Sequence, residues 1–273
     1  MPENELVAQE LLHVLLMGRP GGGKSTLCAT FPKPMLVFGF DPPGKERAYM
    51  ERGTASGIKK GDRCFYREVY DPPDPSKVII RYEFWGENNP VKPTAYPRFV
   101  ARMASLEHDI TKYGYQTVVG DTATFFELSA RTYSEYSINA SVKDGRQHYA
   151  FSAKACEQYL MMRWPNLLLC HSIMCCHIDD QKDDSEEGDV VVRKMAALPG
   201  KLPNRISGGF GEVWRVYFAG KSTKGKPIHL LQTQPREANT YDCKSLLHIP
   251  DGIQPHYEAI QATLTKNKTQ ESV

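Results

Sequence analysis

The chain has 273 residues, of which 41% are hydrophobic and 24% are charged, an ordinary composition for a globular protein with a sizeable core. Its formal net charge is +2, which excludes a generally basic surface for nucleic acid, so any polyanion site must be a local patch. Its seven cysteines are odd in number and lack the spacing of a disulfide framework, which favours a reducing, intracellular compartment.

The first predicted elements form a strand, a helix and a second strand. Residues 1–10 are polar and are expected to be a flexible leader. Residues 11–17 are a continuous apolar run, too short to span a bilayer and preceded by acidic residues, so we predict a buried strand. A short helix over 24–31 should end at Pro32, and 35–40 reads as another buried strand. This order implies parallel pairing through a right-handed crossover.

The middle of the chain continues the alternation of strands and helices. Two strands are predicted within 63–85, around a turn-rich segment, and the apolar spacing over 96–112 predicts an amphipathic helix. Residues 115–121 read as a buried strand that ends in an acid, and helical patterns follow over 122–136 and 149–163.

The last third of the chain is expected to add strands to the same sheet. The predicted elements are a strand over 172–178, a mostly loop segment over 179–212 with a strand at 190–197, an antiparallel pair at 212–220 and 227–233, and a helix over 255–266. The sum is an α/β fold with a mostly parallel central sheet and late antiparallel strands. We expect one domain over 11–260 and a polar tail over 261–273.

The most specific motif is GRPGGGKS, residues 18–25, which fits the phosphate-binding pattern G-x-x-x-x-G-K-[ST] without a mismatch. Glycines let backbone N–H groups approach a phosphate chain, and the pattern lies between a buried strand and a helix, as this chemistry requires. Lys24 should reach the outer phosphates, and the Ser25 hydroxyl should ligate Mg²⁺. The alternative is a glycine-rich turn before a helix. The predicted nucleotide-contacting residues are Gly18, Arg19, Pro20, Gly21, Gly22, Gly23, Lys24, Ser25 and Thr26.

Two acids at predicted strand ends are candidates for the rest of the site. Asp121 follows the apolar run TVVG and is predicted as the acid on the Mg²⁺ side, with a solvated acid as the alternative. Asp41 ends the second strand and either orients the attacking water or is a turn residue before two prolines. For Thr122 and Thr124 we favour capping of the next helix over contact with the metal's water shell.

A cluster of cysteines and histidines over 170–177 permits two interpretations. Its spacing fits no common zinc pattern, and neighbouring Cys175 and Cys176 should point to opposite faces of a strand, so buried packing is favoured over a metal site. His177, at the strand end, is either a sensor of the third phosphate or a loop histidine. The acidic run 179–189 is expected to be a solvated loop.

The ordered segments GRPGGGKST, KPMLVFGFD, YQTVVGDTAT, MCCHIDD, LPGKLPNRISGGFGEVWRV and LQTQPREANTYDCKS resemble the phage AAA-family nucleotide-binding ATPases. This is a RecA-like group associated with phage single-strand annealing and homologous recombination. The resemblance covers roughly residues 11–260.

The resemblance implies a RecA-like P-loop core that binds ATP and Mg²⁺ and hydrolyses ATP weakly or in response to DNA. It implies single-stranded DNA as a partner, a homo-oligomeric ring or filament with ATP at the subunit interface, and contact with a phage or host single-strand binding protein. By position, it places Asp41 at the acid after the second strand and His177 at the sensor of the third phosphate. Lys244 falls where a basic residue reaches a neighbour's nucleotide, with Arg236 as the alternative.

The sequence therefore predicts a RecA-like ATPase that acts on single-stranded DNA in phage recombination, annealing or replication. Two other functions stay open, a P-loop kinase for a small molecule and a nucleotide-dependent loader with little turnover. We expect no membrane association and a cytoplasmic location in the bacterial host cell.

Overall fold

The strands and helices follow the alternation that the apolar runs predict. The computed structural model describes residues 10–44, 46–50, 63–67, 78–87, 89–183, 190–235 and 242–271. The strands are β1 His13–Met17, β2 Met35–Gly39, β3 Arg63–Arg67, β4 Val78–Phe84, β5 Thr117–Asp121, β6 His171–Cys176, β7 Ile178–Asp183, β8 Val190–Ala196, β9 Glu212–Lys221, β10 Pro227–Gln232 and β11 Lys244–Ser245. The α-helices are α1 Lys24–Cys28, α2 Arg47–Met50, α3 Ala95–Ala104, α4 Leu106–Tyr113, α5 Ala123–Tyr133, α6 Gly145–Cys156, α7 Leu202–Ile206 and α8 Tyr257–Glu271.

One large sheet organises the described part of the chain. Its strands lie in the order β10-β9-β1-β6-β5-β2-β4-β3, and β11 pairs with the same strand as β10, namely β9. The seven strands from β9 to β3 are parallel to their neighbours, whereas β10 and β11 are antiparallel to β9. The predicted α/β architecture, with a mostly parallel sheet and late antiparallel strands, is confirmed.

The central parallel strands β1, β2, β5 and β6 are buried on both faces, as their continuous apolar sequences predict. Successive residues of β1 alternate between the two faces, so Leu15 and Met17 join one apolar cluster whereas Val14 and Leu16 join the other. The first cluster packs the sheet against the helices α3 to α6, and the second packs it against α1 and α8. Because the carboxyl ends of parallel strands share one edge, this sheet gathers the strand-end residues at one place.

Several predicted boundaries were wrong. The single helix predicted over 96–112 is two helices, α3 and α4, which meet at Ser105, because the backbone N–H of Ser105 bonds to the carbonyl of Arg102 one turn back. The predicted loop after residue 178 instead contains β7, which pairs with β8 as a separate two-stranded sheet.

Three helix limits also differ from the predictions. α1 ends at Cys28 instead of continuing to residue 31. α6 begins at Gly145 because the Asp144 side chain accepts a hydrogen bond from the backbone N–H of Arg146. α8 continues to Glu271, so most of the predicted polar tail is helical.

Candidate functional site

The loop between β1 and α1 takes the conformation that its glycines allow. Gly21 and Gly23 have φ angles of 73° and 98°, in the left-handed region that other residues rarely adopt. A Cβ atom on Gly22 would lie 2.9 Å from the carbonyl oxygen of Arg19, so a side chain there would collide with the loop itself. The tight turn therefore depends on these three glycines.

Lys24 is held by the loop that precedes it. Its ammonium group donates to the carbonyl oxygen of Gly18 at 2.8 Å and to that of Arg19 at 3.2 Å. The side chain is buried, and the residue lines the cavity described below. A buried ammonium group beside the backbone N–H groups of a glycine loop is suited to a phosphate chain.

Asp121, at the end of β5, accepts hydrogen bonds from two hydroxyl groups at one carboxylate oxygen. Ser25 and Tyr49 each donate to its Oδ2 atom at 2.7 Å. Tyr49 is fully buried, and its burial together with the negative charge of Asp121 raises the pKa of its phenol well above the usual value, so the phenol stays a donor. The Ser25 hydroxyl and the Asp121 carboxylate are oxygen ligands of the kind that Mg²⁺ prefers, so these residues fit that ion.

Asp41 is the second residue after β2, which ends at Gly39, and it lies beside Asp121. The backbone N–H of Phe40 donates to the carbonyl oxygen of Asp121 at 2.7 Å, which joins the two strand ends. Asp41 is buried, and its Oδ1 accepts from the Thr122 hydroxyl at 2.9 Å. The predicted capping role of Thr122 is therefore wrong: Thr122 occupies the N-cap position of α5, but its side chain makes no capping hydrogen bond and contacts Asp41.

These residues line one cavity of about 280 Å³ at the carboxyl edge of the sheet. Its walls are Pro20, Gly21, Gly22, Gly23, Lys24, Ser25, Thr26, Asp41, Gly44, Arg47, Ala48, Asp121, Thr122 and His177. The structure thus brings together Lys24, Ser25, Asp121, Asp41 and His177, which the sequence predicts for one site. Gly18 and Arg19 are absent from these walls, but their carbonyl groups hold Lys24.

His177 follows β6 and reaches the same cavity. Its backbone N–H donates to the Thr124 hydroxyl at 3.3 Å, and its ring lies edge-on to that of Phe125, with ring centroids 5.9 Å apart. Thr124 therefore positions the residue after β6. The location is compatible with the predicted sensor role, which stays a prediction.

Lys244 lies apart from this cavity. It is on β11, where it pairs with Val213 of β9, and it lines neither this cavity nor the second cavity that is described below. The predicted contact of Lys244 with a neighbour's nucleotide stays a prediction. Its alternative, Arg236, lies outside the described residues.

The two adjacent cysteines of β6 point to opposite faces of the sheet, as the sequence predicts. Cys175 belongs to the cluster with α1, where its sulfur lies 3.5 Å from that of Cys28. Cys176 belongs to the other cluster, and its sulfur lies 3.6 Å from the Thr124 hydroxyl. Within the described ranges, no three His, Cys, Asp or Glu residues are grouped closely enough to hold a metal ion.

Arg47 and Tyr49 are the site residues that sequence reasoning missed. Both lie on the four-residue helix α2, in a polar segment without apolar periodicity. Tyr49 meets Asp121 across 72 positions of the chain, a contact that no local pattern indicates.

A second cavity of about 520 Å³ lies on the other side of the glycine loop. It is lined by Arg19, Pro20, Gly21, Gly22, Ile178, Arg215, Val216, Tyr217, Phe218 and His229. The Phe218 side chain is 55% exposed, and its ring lies edge-to-face with His229 at a centroid distance of 6.0 Å. The Arg215 guanidinium lies 5.1 Å from the centroid of Tyr217. The wall therefore offers aromatic surface to a planar ligand.

Comparison with known proteins identified a family and likenesses to solved structures. A protein-family model described as an AAA domain matches residues 11–244. The search of curated proteins found no match. Among solved structures, the chain is similar to a KaiC-like protein from the archaeon Pyrococcus horikoshii, with 12% identity over 85% of this chain and 82% of that chain and a TM-score of 0.39. Separately, no helix in the described ranges is long and apolar enough to cross a bilayer.

Proposed function

The chain belongs to the AAA domain family and is a nucleotide-binding P-loop ATPase, and from this premise we propose that it binds and hydrolyses ATP to act on single-stranded DNA. The observation that carries the nucleotide part is the 280 Å³ cavity that Lys24, Ser25 and Asp121 share. The DNA part is supported by the order of the sequence motifs, which resembles the RecA-like phage recombination group. Annealing, strand exchange and replication are the processes that this resemblance suggests.

The residues of the first cavity have distinct tasks in this proposal. Backbone N–H groups of the glycine loop and the Lys24 ammonium group bind the phosphates. Ser25 and Asp121 hold Mg²⁺, which neutralises negative charge on the phosphates when it is bound. Tyr49 orients the Asp121 carboxylate through its hydroxyl.

Asp41 is the acid proposed to orient the attacking water. It is buried beside Asp121, and the Thr122 hydroxyl donates to its Oδ1 atom, which fixes the orientation of the carboxylate that would hold a water molecule. His177 is on the same cavity wall and is proposed to contact the third phosphate. In this proposal, hydrolysis therefore uses Asp41 as a positioned acid in addition to the groups that bind the phosphates.

The second cavity is the proposed site of the nucleoside. It shares Pro20, Gly21 and Gly22 with the first cavity, so a nucleotide can extend from one to the other around the loop. Phe218, His229 and Tyr217 provide rings on which a base can stack. We further propose that the protein forms a ring or filament in which Lys244 or Arg236 approaches the neighbouring subunit's nucleotide.

The first test is ATP turnover with Mg²⁺, measured with and without single-stranded DNA. DNA binding is followed in parallel by fluorescence anisotropy at two salt concentrations. We expect DNA to stimulate turnover, and we expect DNA binding to depend on nucleotide and on salt. Lys24→Ala should abolish turnover while the far-UV circular dichroism spectrum is unchanged.

Other outcomes separate the competing functions. Unchanged turnover in Lys24→Ala would refute the assignment of the site. Turnover that is indifferent to DNA but produces a phosphorylated small molecule would favour a kinase. Tight ATP binding with almost no turnover would favour a nucleotide-dependent loader.

A further inference from the structure

The short helix α2 is fixed to the centre of the candidate site. Tyr49 is fully buried, its ring lies 5.8 Å from that of Tyr82, and its hydroxyl donates to Asp121. A four-residue helix is not stable alone, so these tertiary contacts determine its position. The backbone of this helix is therefore held at a defined place near Asp121.

Arg47, the first residue of α2, lies at the first cavity. The residue is exposed, yet it lines the cavity together with Lys24 and Asp121. In the described part of the chain no ion pair of Arg47 is found. The two carboxylates of the cavity walls, Asp41 and Asp121, are matched in formal charge by Lys24 and Arg47. Among the described residues that line this cavity, Arg47 and Lys24 are therefore the two cationic side chains that a phosphate chain would meet.

The arrangement of the two cavities indicates which phosphate Arg47 can reach. The cavities lie on either side of the loop residues 20–22, and Arg47 lines only the one that contains Asp121. If the base occupies the aromatic cavity, the end of the phosphate chain farthest from the base occupies the cavity with Arg47. That end is the third phosphate in a triphosphate and is missing in a diphosphate.

We propose that Arg47 binds the terminal phosphate of the nucleotide and makes the site select nucleoside triphosphate over diphosphate. This inference rests on the proposed function. The planar guanidinium group donates two parallel hydrogen bonds to phosphate oxygens, which a lysine cannot reproduce. Tyr49 supports this contact by holding α2 against Asp121.

The test is the affinity of the purified protein for Mg²⁺–ATP and Mg²⁺–ADP, measured by isothermal titration calorimetry. Arg47→Ala should weaken ATP binding about tenfold or more and change ADP binding less than about twofold, because a charge-assisted hydrogen bond is lost only with the triphosphate. Arg47→Lys should restore part of the loss. Arg146→Ala is the matched control, since this arginine is 91% exposed, pairs with Asp144 and lies outside both cavities.

Two results would overturn the assignment of Arg47. One is an equal loss of ATP and ADP affinity, which would indicate a general effect of charge or folding. The other is unchanged ATP affinity in Arg47→Ala. If the unmodified protein binds neither nucleotide, the proposed function itself fails and the role of Arg47 fails with it.

Discussion

Tyr49→Phe removes one hydroxyl group from the centre of the site and leaves the ring in place. The lost hydrogen bond is 2.7 Å long and joins a fully buried phenol to a carboxylate that is 3% exposed. A hydrogen bond to a charged group contributes about 1.5–3 kcal/mol, and Asp121 keeps the Ser25 donor, so we expect a loss of about 1.5 kcal/mol in the free energy of unfolding. For a chain of this size, that corresponds to a fall in melting temperature of roughly 3–6 °C.

The assay is urea unfolding of both proteins, together with the dependence of ATP binding on Mg²⁺ concentration. Tyr159→Phe is the control, because it makes the same change on a buried ring for which the described residues provide no hydroxyl partner. The variant at Tyr49 should also need more Mg²⁺, since Asp121 has lost an orienting contact. An unfolding free energy within about 0.5 kcal/mol of the unmodified protein, with the same Mg²⁺ dependence, would refute this reasoning.

The pH dependence of this difference has a definite sign. Because the pKa of Tyr49 is raised in the folded protein, the phenol ionises only in the unfolded chain when the pH passes its usual value of about 10. The stability that Tyr49 contributes is present below that pH and is lost above it. The difference between the two proteins should therefore shrink in alkali.

Three further predictions concern other parts of the structure. Gly39→Ala should destabilise the protein by about 1–3 kcal/mol or more in urea unfolding, because a Cβ atom there would overlap the ring of buried Tyr82, whereas Gly145→Ala, with open space around it, should not. Burial lowers the pKa of His171 to about 4. The stability that neutral His171 contributes should therefore be complete above pH 6.5, and the free energy of unfolding should fall by up to about 3 kcal/mol as the pH drops towards 4. His171→Asn should remove this dependence of the free energy of unfolding on pH, measured by denaturant unfolding. Phe218→Ala should weaken ATP binding roughly tenfold and leave tripolyphosphate binding unchanged in calorimetry, and equal effects on both ligands would contradict a base-stacking role.

The sequence predicted the parts of the site that depend on local chain chemistry. The glycine loop and the strand-end acids are recognisable because each follows a continuous apolar run, and parallel pairing then places Lys24 near Asp121. The helix α2 could not be predicted, because four residues in a polar segment become helical only through a tertiary contact of Tyr49. The hairpin of β7 and β8 was missed for a related reason, since an acidic run favours a solvated loop when only its own residues are considered.

The position of β1 within the sheet has a consequence for the order of events during synthesis. β1 is flanked by β6 and β9, so Val14 pairs with Ile173 on one side and with Glu212 on the other. The loop that begins at Gly18 is tied to β6 as well, through the bond from its backbone N–H to the carbonyl of Cys176. Pairings of such long sequence separation form slowly. On the ribosome, β1 and the loop that follows it must therefore wait for β6 and β9, and until these are synthesised β1 is an apolar segment without its two neighbouring strands.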